Sequence, residues 1–376
     1  MFIHKCYKSG IVILTVAACF NLFACDTPVF RYALEKWKPE AYNAFVFFDN
    51  NPDNEEKKTA NLLNQPFANI TLELINIAEL NKGFDVGQYE FKGKKKKYRK
   101  SNEQITAEKK LAAAKRAFHH KLKIYNSFGK EKSLPYAVVT FPADRKKTPS
   151  KASQLLWEGK PDSQKFAALI DSPARKEIAK RILDGDSAVW IMIPSGDTQK
   201  DDECLAKINE ILEKAEKTVE LSIPGADVKL SAGIPLKLSF STLIVNPNNP
   251  EEDFFIKMLM KLRDKRHAGS NLSQFQRRSN IAASRNKAGS IPADSPIIIP
   301  VIGRGRAVEL IGGENINEDY IINLCKYISG PCSCEIKKQN PGMDMLFSID
   351  WKNRFAPMIG ADEEPGELIG FEAFIK

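Results

Sequence analysis

Three cysteines near residue 330 are close enough in sequence to share one chemical task. Cys325, Cys332 and Cys334 lie within ten positions of one another. Thiolate sulfur is a soft donor, so these side chains could hold a soft metal ion or take part in thiol redox chemistry. A metal site is not favoured, because the chain has no C-x-x-C and only four histidines. The structural alternatives are a Cys325–Cys332 disulfide or buried thiols, and the sequence leaves both open.

Other residue patterns that signal catalysis are missing from the sequence. It contains no H-E-x-x-H, no G-x-S-x-G and no phosphate-binding loop. His119 and His120 are neighbours, and adjacent residues do not share a face of a helix. Gly303-Arg304-Gly305 stands between two predicted strands, which indicates a hairpin turn rather than a nucleotide site. These absences lower the expectation of an enzyme, and we expect no cofactor.

Positive charge is concentrated in two segments. Residues 92–132 hold 15 basic and three acidic residues, and residues 263–287 hold seven basic and one acidic residue. Such segments are either solvated loops or a contact surface for anionic lipid, an acidic polymer or an acidic protein. Nucleic acid is not expected, because no binding module for it is recognisable. The candidate contact residues are Lys94, Lys95, Lys96, Lys97, Arg99, Lys100, Arg277 and Arg278.

The strands and helices that must carry these residues follow the same order twice. Aromatic and β-branched runs at 42–48 and 187–193 each predict a strand. Each is followed by a turn, a helix, a second strand (70–78 and 236–245), another helix, a proline, a hairpin and a closing helix. In the first unit Ser172-Pro173 begins the closing helix, as an N-cap followed by proline. The pattern predicts an α/β fold with two similar halves.

This repeated order resembles the thioredoxin fold. In that family the proline at the start of the third strand is typically cis and lies beside the redox loop, and Pro135 and Pro296 hold this place. The family's C-x-x-C lies at the N-terminus of the first helix, which lowers the thiol pKa. The corresponding turns at 49–53 and 194–197 contain no cysteine. The resemblance therefore implies two tandem thioredoxin-like lobes without dithiol exchange.

The first 25 residues have the pattern of an export signal. Lys5 and Lys8 precede an apolar stretch at 11–24, which is shorter than the about 20 residues that span a bilayer. The sequence Leu22-Phe23-Ala24-Cys25 resembles the lipobox of bacterial envelope lipoproteins, in which the cysteine is acylated. The resemblance implies a membrane anchor at Cys25, and two acyl chains suffice for stable anchoring. The alternative is simple cleavage that leaves Cys25 free.

These patterns predict an exported cell-envelope protein that acts as a non-catalytic binding or assembly scaffold. Its basic segments would contact an anionic partner or surface. The alternative is a thiol-based redox or soft-metal protein that uses Cys325, Cys332 and Cys334. The predicted parts are a signal peptide at 1–24, a first lobe at 25–185 with a basic insertion at 92–132, a second lobe at 186–335 with a basic loop at 263–295, and a C-terminal strand with an acidic tail at 336–376.

Overall fold

The fold is known from a computed structural model and contains two mixed sheets. This architecture confirms the predicted α/β class. The described residues are 26–86, 102–142, 155–225, 228, 230, 233–267, 294–339 and 341–355. Outside them lie the predicted signal peptide, the acidic tail, Cys25, Lys94, Lys95, Lys96, Lys97, Arg99, Lys100, Arg277 and Arg278.

The first sheet has four strands in the order β2–β1–β3–β4. β1 and β2 are parallel, and the other two pairs are antiparallel. The strands are β1 (Tyr42–Phe48), β2 (Ile70–Asn76), β3 (Tyr136–Thr140) and β4 (Leu155–Gly159). The helices in this part of the chain are α1 (Val29–Glu35), α2 (Asn54–Asn61), α3 (Ile77–Asn81), α4 (Asn102–Ile124, continued by a π-helical turn at Tyr125–Gly129), α5 (Ser163–Ile170) and α6 (Pro173–Leu183).

The second sheet has the order β10–β8–β7–β5–β6, and β9 also pairs with β7. β5 and β6 are parallel, whereas β5–β7 and β7–β8 are antiparallel. The order β6–β5–β7–β8 therefore repeats the order and strand directions of the first sheet. The strands are β5 (Ala188–Ile193), β6 (Phe240–Ile244), β7 (Ile297–Ile302), β8 (Arg306–Ala307), β9 (Ile311–Gly312) and β10 (Met343–Asp344). The helices are α7 (Thr198–Thr218), α8 (Asp253–His267), α9 (Glu318–Ser329), α10 (Cys334–Gln339) and α11 (Trp351–Phe355).

Three apolar clusters arrange these elements in five layers. The outer face of the first sheet packs under α3 and α4, through Phe45 and Phe47. The inner faces of both sheets share one cluster with α5, α6 and α8, in which α6 contacts β5 and α8 contacts β4. The outer face of the second sheet packs against α1, α7 and α9. Because helices cover both faces of each sheet, the central strands β1, β5 and β7 are apolar almost throughout rather than alternating.

Helix α1 is not predicted from the sequence, and it packs on the second sheet. Val29 and Ala33 belong to the outer cluster of that sheet, and the Val29 N–H donates to the Gly330 carbonyl at 3.0 Å. The residues that begin the predicted first lobe therefore pack with the second. The helix has Pro28 as its N-cap and no side-chain capping bond, so the usual sequence signal for a helix start is absent.

Residues 341–348, which we call the clasp, lie between the two halves of the molecule. The strand expected in the C-terminal part of the chain is only two residues long, Met343–Asp344, and the next residues enter the central cluster. The Asn69 side chain donates to the Met345 carbonyl at 3.1 Å and accepts from the Phe347 N–H at 2.9 Å. The clasp is thus bonded to the first half as well as to β8.

Asp344 of the clasp forms a buried ion pair with Arg306 on β8. The Asp344 carboxylate accepts from Arg306 Nη2 at 2.6 Å and from the Glu40 N–H at 2.8 Å. The Tyr42 hydroxyl donates to the Asp344 carbonyl at 3.0 Å. Burial raises the pKa of Asp344, and Arg306 opposes that shift. The Asp344 carboxylate therefore links the segment just before β1 to β8 of the second sheet.

The prolines before β3 and β7 differ in their peptide bonds. The Leu134–Pro135 bond is cis, and it is the one cis bond in the part of the chain that the structure describes. The bond that precedes Pro296 is accordingly trans. The expectation of a cis proline at both places is therefore met at Pro135 and is wrong at Pro296.

Candidate functional site

The helix N-termini that follow β1 and β5 are closed by aspartate side chains. Asp53 accepts from the Glu56 N–H at 2.8 Å, and the Glu56 carboxylate accepts from the Asp53 N–H at 3.1 Å, which forms a capping box. Asp197 accepts from the Lys200 N–H at 3.3 Å at the start of α7. Helix N–H groups can stabilise a thiolate at such positions. In this protein the carboxylates of Asp53 and Asp197 accept hydrogen bonds from these N–H groups instead.

Asp201 also bonds to the turn that precedes α7. Its carboxylate accepts from the Ser195 N–H at 2.7 Å, from the Ser195 hydroxyl at 2.8 Å and from the Gly196 N–H at 3.1 Å. Cys204 lies about one turn further along the helix and is buried. Burial, with a smaller effect from Asp201, raises the pKa of the Cys204 thiol to about 11. The thiol nearest to this turn in sequence therefore stays protonated at neutral pH.

The three cysteines that the sequence groups together occupy different surroundings. Cys325 and Cys332 are buried in the outer cluster of the second sheet, whereas Cys334 is exposed at the start of α10. Burial raises the pKa of the Cys325 thiol far above its ordinary value. None of the four described cysteines is in a disulfide, so the Cys325–Cys332 disulfide is not formed. Among the described residues, no three Cys, His, Asp or Glu side chains are grouped to hold a metal ion.

Helix α4 carries a described part of the first basic segment. It has six basic and two acidic residues. Leu111, Phe118 and Leu122 are partly buried on its inner side, while most of its cations are exposed. The positions from 109 to 123 extend over about 21 Å of the helix axis, at a rise of 1.5 Å per residue. We call these exposed cations the basic stripe: Lys109, Lys110, Lys115, Arg116 and Lys123.

Aromatic and charged contacts hold α4 against the first sheet. Phe118 packs on Phe84 with ring centroids 5.6 Å apart, and the His120 ring lies 6.4 Å from that of Phe45. His120 Nε2 is 3.6 Å from Glu73 Oε2 on β2. The interaction with the Glu73 carboxylate raises the pKa of His120, although burial and nearby lysines oppose the shift. The basic stripe is therefore presented by a helix that is fixed to a sheet through its Phe118 and His120 side chains.

The sequence alone predicts some features of the surface around α4 and not others. The apolar residues of α4 recur at helical spacing, so the lysines between them can be placed on the outer side from the sequence alone. The partner of His120 carries no such signal, because Glu73 belongs to a different element. The basic residues singled out before residue 101 and after 276 lie outside the described ranges.

Comparison of the chain with protein-family models, curated proteins and solved structures finds no match. The geometry of the chain itself is therefore the basis for assigning a function. In the described ranges, no helix combines the length and the apolar character needed to cross a bilayer.

Proposed function

We propose that this protein is an exported, lipid-anchored binding scaffold of two thioredoxin-like halves, and that the basic stripe binds an anionic partner. The observation that carries the proposal is the stripe itself. Five cations are exposed along one helix, and other residues of that helix pack on a sheet. The scaffold performs no chemical step of its own.

The repeated sheet supports the thioredoxin-like assignment. In each half, a central strand is parallel to the strand after it and antiparallel to the third, which is antiparallel to the fourth. Helices lie on both faces of each sheet, and a proline precedes the third strand each time. This arrangement resembles the thioredoxin fold that the sequence order predicts.

The capped helix N-termini support a non-catalytic role. A redox site of this fold would need a cysteine where Asp53 and Asp197 cap their helices. The thiol that comes closest in sequence, Cys204, has a pKa that burial raises to about 11. A thiol protonated at neutral pH is a poor nucleophile, because the thiolate is the attacking species.

The stripe is suited to a surface or polymer of repeated negative charge. A Lys or Arg close to an anionic membrane surface contributes about 1 kcal/mol, and the attraction decays within one Debye length. Five such cations over about 21 Å act together only on a partner whose charges are similarly spaced. Binding should therefore be strong at low salt and weaken as salt is added.

The test removes four charges from the stripe without disturbing the inner side of α4. We expect a variant with Lys109→Gln, Lys110→Gln, Lys115→Gln and Arg116→Gln to bind dextran sulfate at least about tenfold more weakly at low salt. Gln is as good a helix former as Lys, so the helix should persist. Binding is measured by titration at several salt concentrations, and circular dichroism checks the fold.

A matched control removes four exposed lysines elsewhere. It carries the changes Lys57→Gln, Lys58→Gln, Lys165→Gln and Lys207→Gln, all at exposed positions. The control should bind nearly as well as the wild type, because its charges lie on other helices. Equal losses in both variants would show that net charge alone drives binding. Unchanged binding by the stripe variant would refute the proposed site.

A further inference from the structure

The described chain begins at one end of the outer helical layer of the second sheet. The Ser222 hydroxyl donates to the Asp26 carbonyl at 2.5 Å, and the Cys332 N–H donates to the Thr27 carbonyl at 2.8 Å. Pro28 pairs with Pro331 in an isolated bridge. Cys25 directly precedes Asp26 in the sequence, so a lipid on Cys25 would be joined to this end of the molecule with almost no linker.

An exposed apolar side chain stands beside this point. Ile223 is 75% exposed, which is the highest value among the large apolar side chains of the described residues. Its neighbour Ser222 is fixed both by the bond to Asp26 and by a backbone bond from its N–H to the Ser329 carbonyl at 3.0 Å. Asp26, Glu220 and Lys326 are exposed here as well, so positive charge does not dominate this surface. Its suitability for a bilayer comes from the attachment point and from Ile223.

The basic stripe lies on the opposite outer layer. Helix α4 covers the outer face of the first sheet, whereas α1 and α9 cover the outer face of the second. With layers about 10 Å apart, four layer spacings separate the two outer layers by roughly 40 Å. The Debye length at physiological salt is about 8 Å. A bilayer that lies along the outer layer of the second sheet, at the end formed by Asp26, is therefore screened from the stripe.

We propose that the bilayer holding the acyl chains of Cys25 contacts the end of the molecule formed by Asp26, Ser222 and Ile223, and that the basic stripe faces away from it. This orientation rests on the proposed lipid anchor. The anionic partner of the stripe is then not the anchoring bilayer. The chain stands between that bilayer and a separate anionic partner.

The test maps which residues touch lipid in the anchored protein. The acylated full chain is reconstituted into vesicles of phosphatidylcholine and anionic phosphatidylglycerol that contain a photoactivatable phospholipid, and the adducts are located by mass spectrometry. We expect adducts in residues 221–225 and none above background in 102–124. Equal or heavier labelling of α4 would overturn the orientation.

A pair of variants tests the part played by the exposed apolar side chain. Ile223→Ser should speed transfer of the acylated protein between vesicles several-fold. Ile244→Ser, at an exposed isoleucine on β6, should leave the rate unchanged. Equal rates in the two variants would remove Ile223 from the proposed contact.

The anchor and the orientation can fail separately. Absence of acyl mass on Cys25 refutes the proposed anchor. In that case the mature chain, with Cys334→Ser, is coupled through Cys25 to a maleimide phospholipid, and the same labelling map decides the orientation.

Discussion

Cys325, Cys332 and Cys334 show how burial separates residues that are close in sequence. Cys325 lies on the buried side of α9, Cys332 lies in the same apolar cluster, and Cys334 is at the surface. Spacing along the chain predicts proximity but not accessibility. An apolar environment disfavours the thiolate, so the two buried sulfurs are poorly suited to redox exchange or to a soft metal.

Thiol labelling tests this separation. In a Cys25→Ser chain that lacks residues 1–24, we expect maleimide to label one thiol rapidly in the native state and all four after denaturation. Cys334→Ser should abolish the rapid reaction, because the other thiols are buried. Mass spectrometry of the labelled chain gives the count. Several rapid thiols together with a bound soft metal would instead support the redox or metal function.

At the scale of elements, the clasp connects the two halves of the molecule although its strand is only two residues long. Asp344 accepts bonds from both halves, and the Arg175 guanidinium donates to the Leu346 carbonyl at 3.0 Å. Arg306 and Asp344 are almost completely buried, with exposed side-chain fractions of 3% and 4%. Removal of one partner from such a pair leaves an uncompensated buried charge.

We expect Arg306→Met to lower the free energy of unfolding by about 3–5 kcal/mol at neutral pH. Urea unfolding measures the loss. Without Arg306 the pKa of Asp344 should rise further, because burial then acts unopposed. A raised acid pKa costs stability as the pH rises through it, so the deficit should shrink as the pH is lowered. Adding Asp344→Asn should recover part of the loss, and a double variant less stable than Arg306→Met would contradict this account.

The elements also show what the sequence could and could not predict. The boundaries of β1 (Tyr42–Phe48) match the prediction, because a run rich in aromatic residues is buried as a central strand. Helix α1 is missed because its start has no capping side chain. The clasp is missed because its bonds join residues as distant as Glu40 and Asp344, and local patterns do not encode such pairings.

The whole molecule depends on a helical layer that both sheets share. Helix α6 follows the first sheet in the chain and contacts β5, while α8 belongs to the second half and contacts β4. The central cluster therefore contains Val46 of the first sheet together with Ile191 of the second. Two halves that share a core should unfold together rather than as independent domains.

This coupling can be tested with Phe255→Ala in α8. Phe255 is fully buried in the central cluster, and truncation of a buried Phe costs about 3–5 kcal/mol. Hydrogen exchange should speed up by similar factors in β1 and β5, because both strands lose the same support. Phe67→Ala, at an exposed side chain, should change neither strand. Faster exchange in β5 alone would indicate that the halves unfold separately.

The clasp also sets the time at which the molecule can be completed during synthesis. Asp344 follows Glu40 by 304 residues. At about 5–20 residues per second, roughly 15 to 60 s pass between the emergence of these two residues from the ribosome. Throughout that interval the Tyr42 hydroxyl and the Asn69 amide have no clasp to bond. The surface of the nascent first half that later packs against the clasp therefore stays exposed to solvent. This is the period in which a chaperone could bind it.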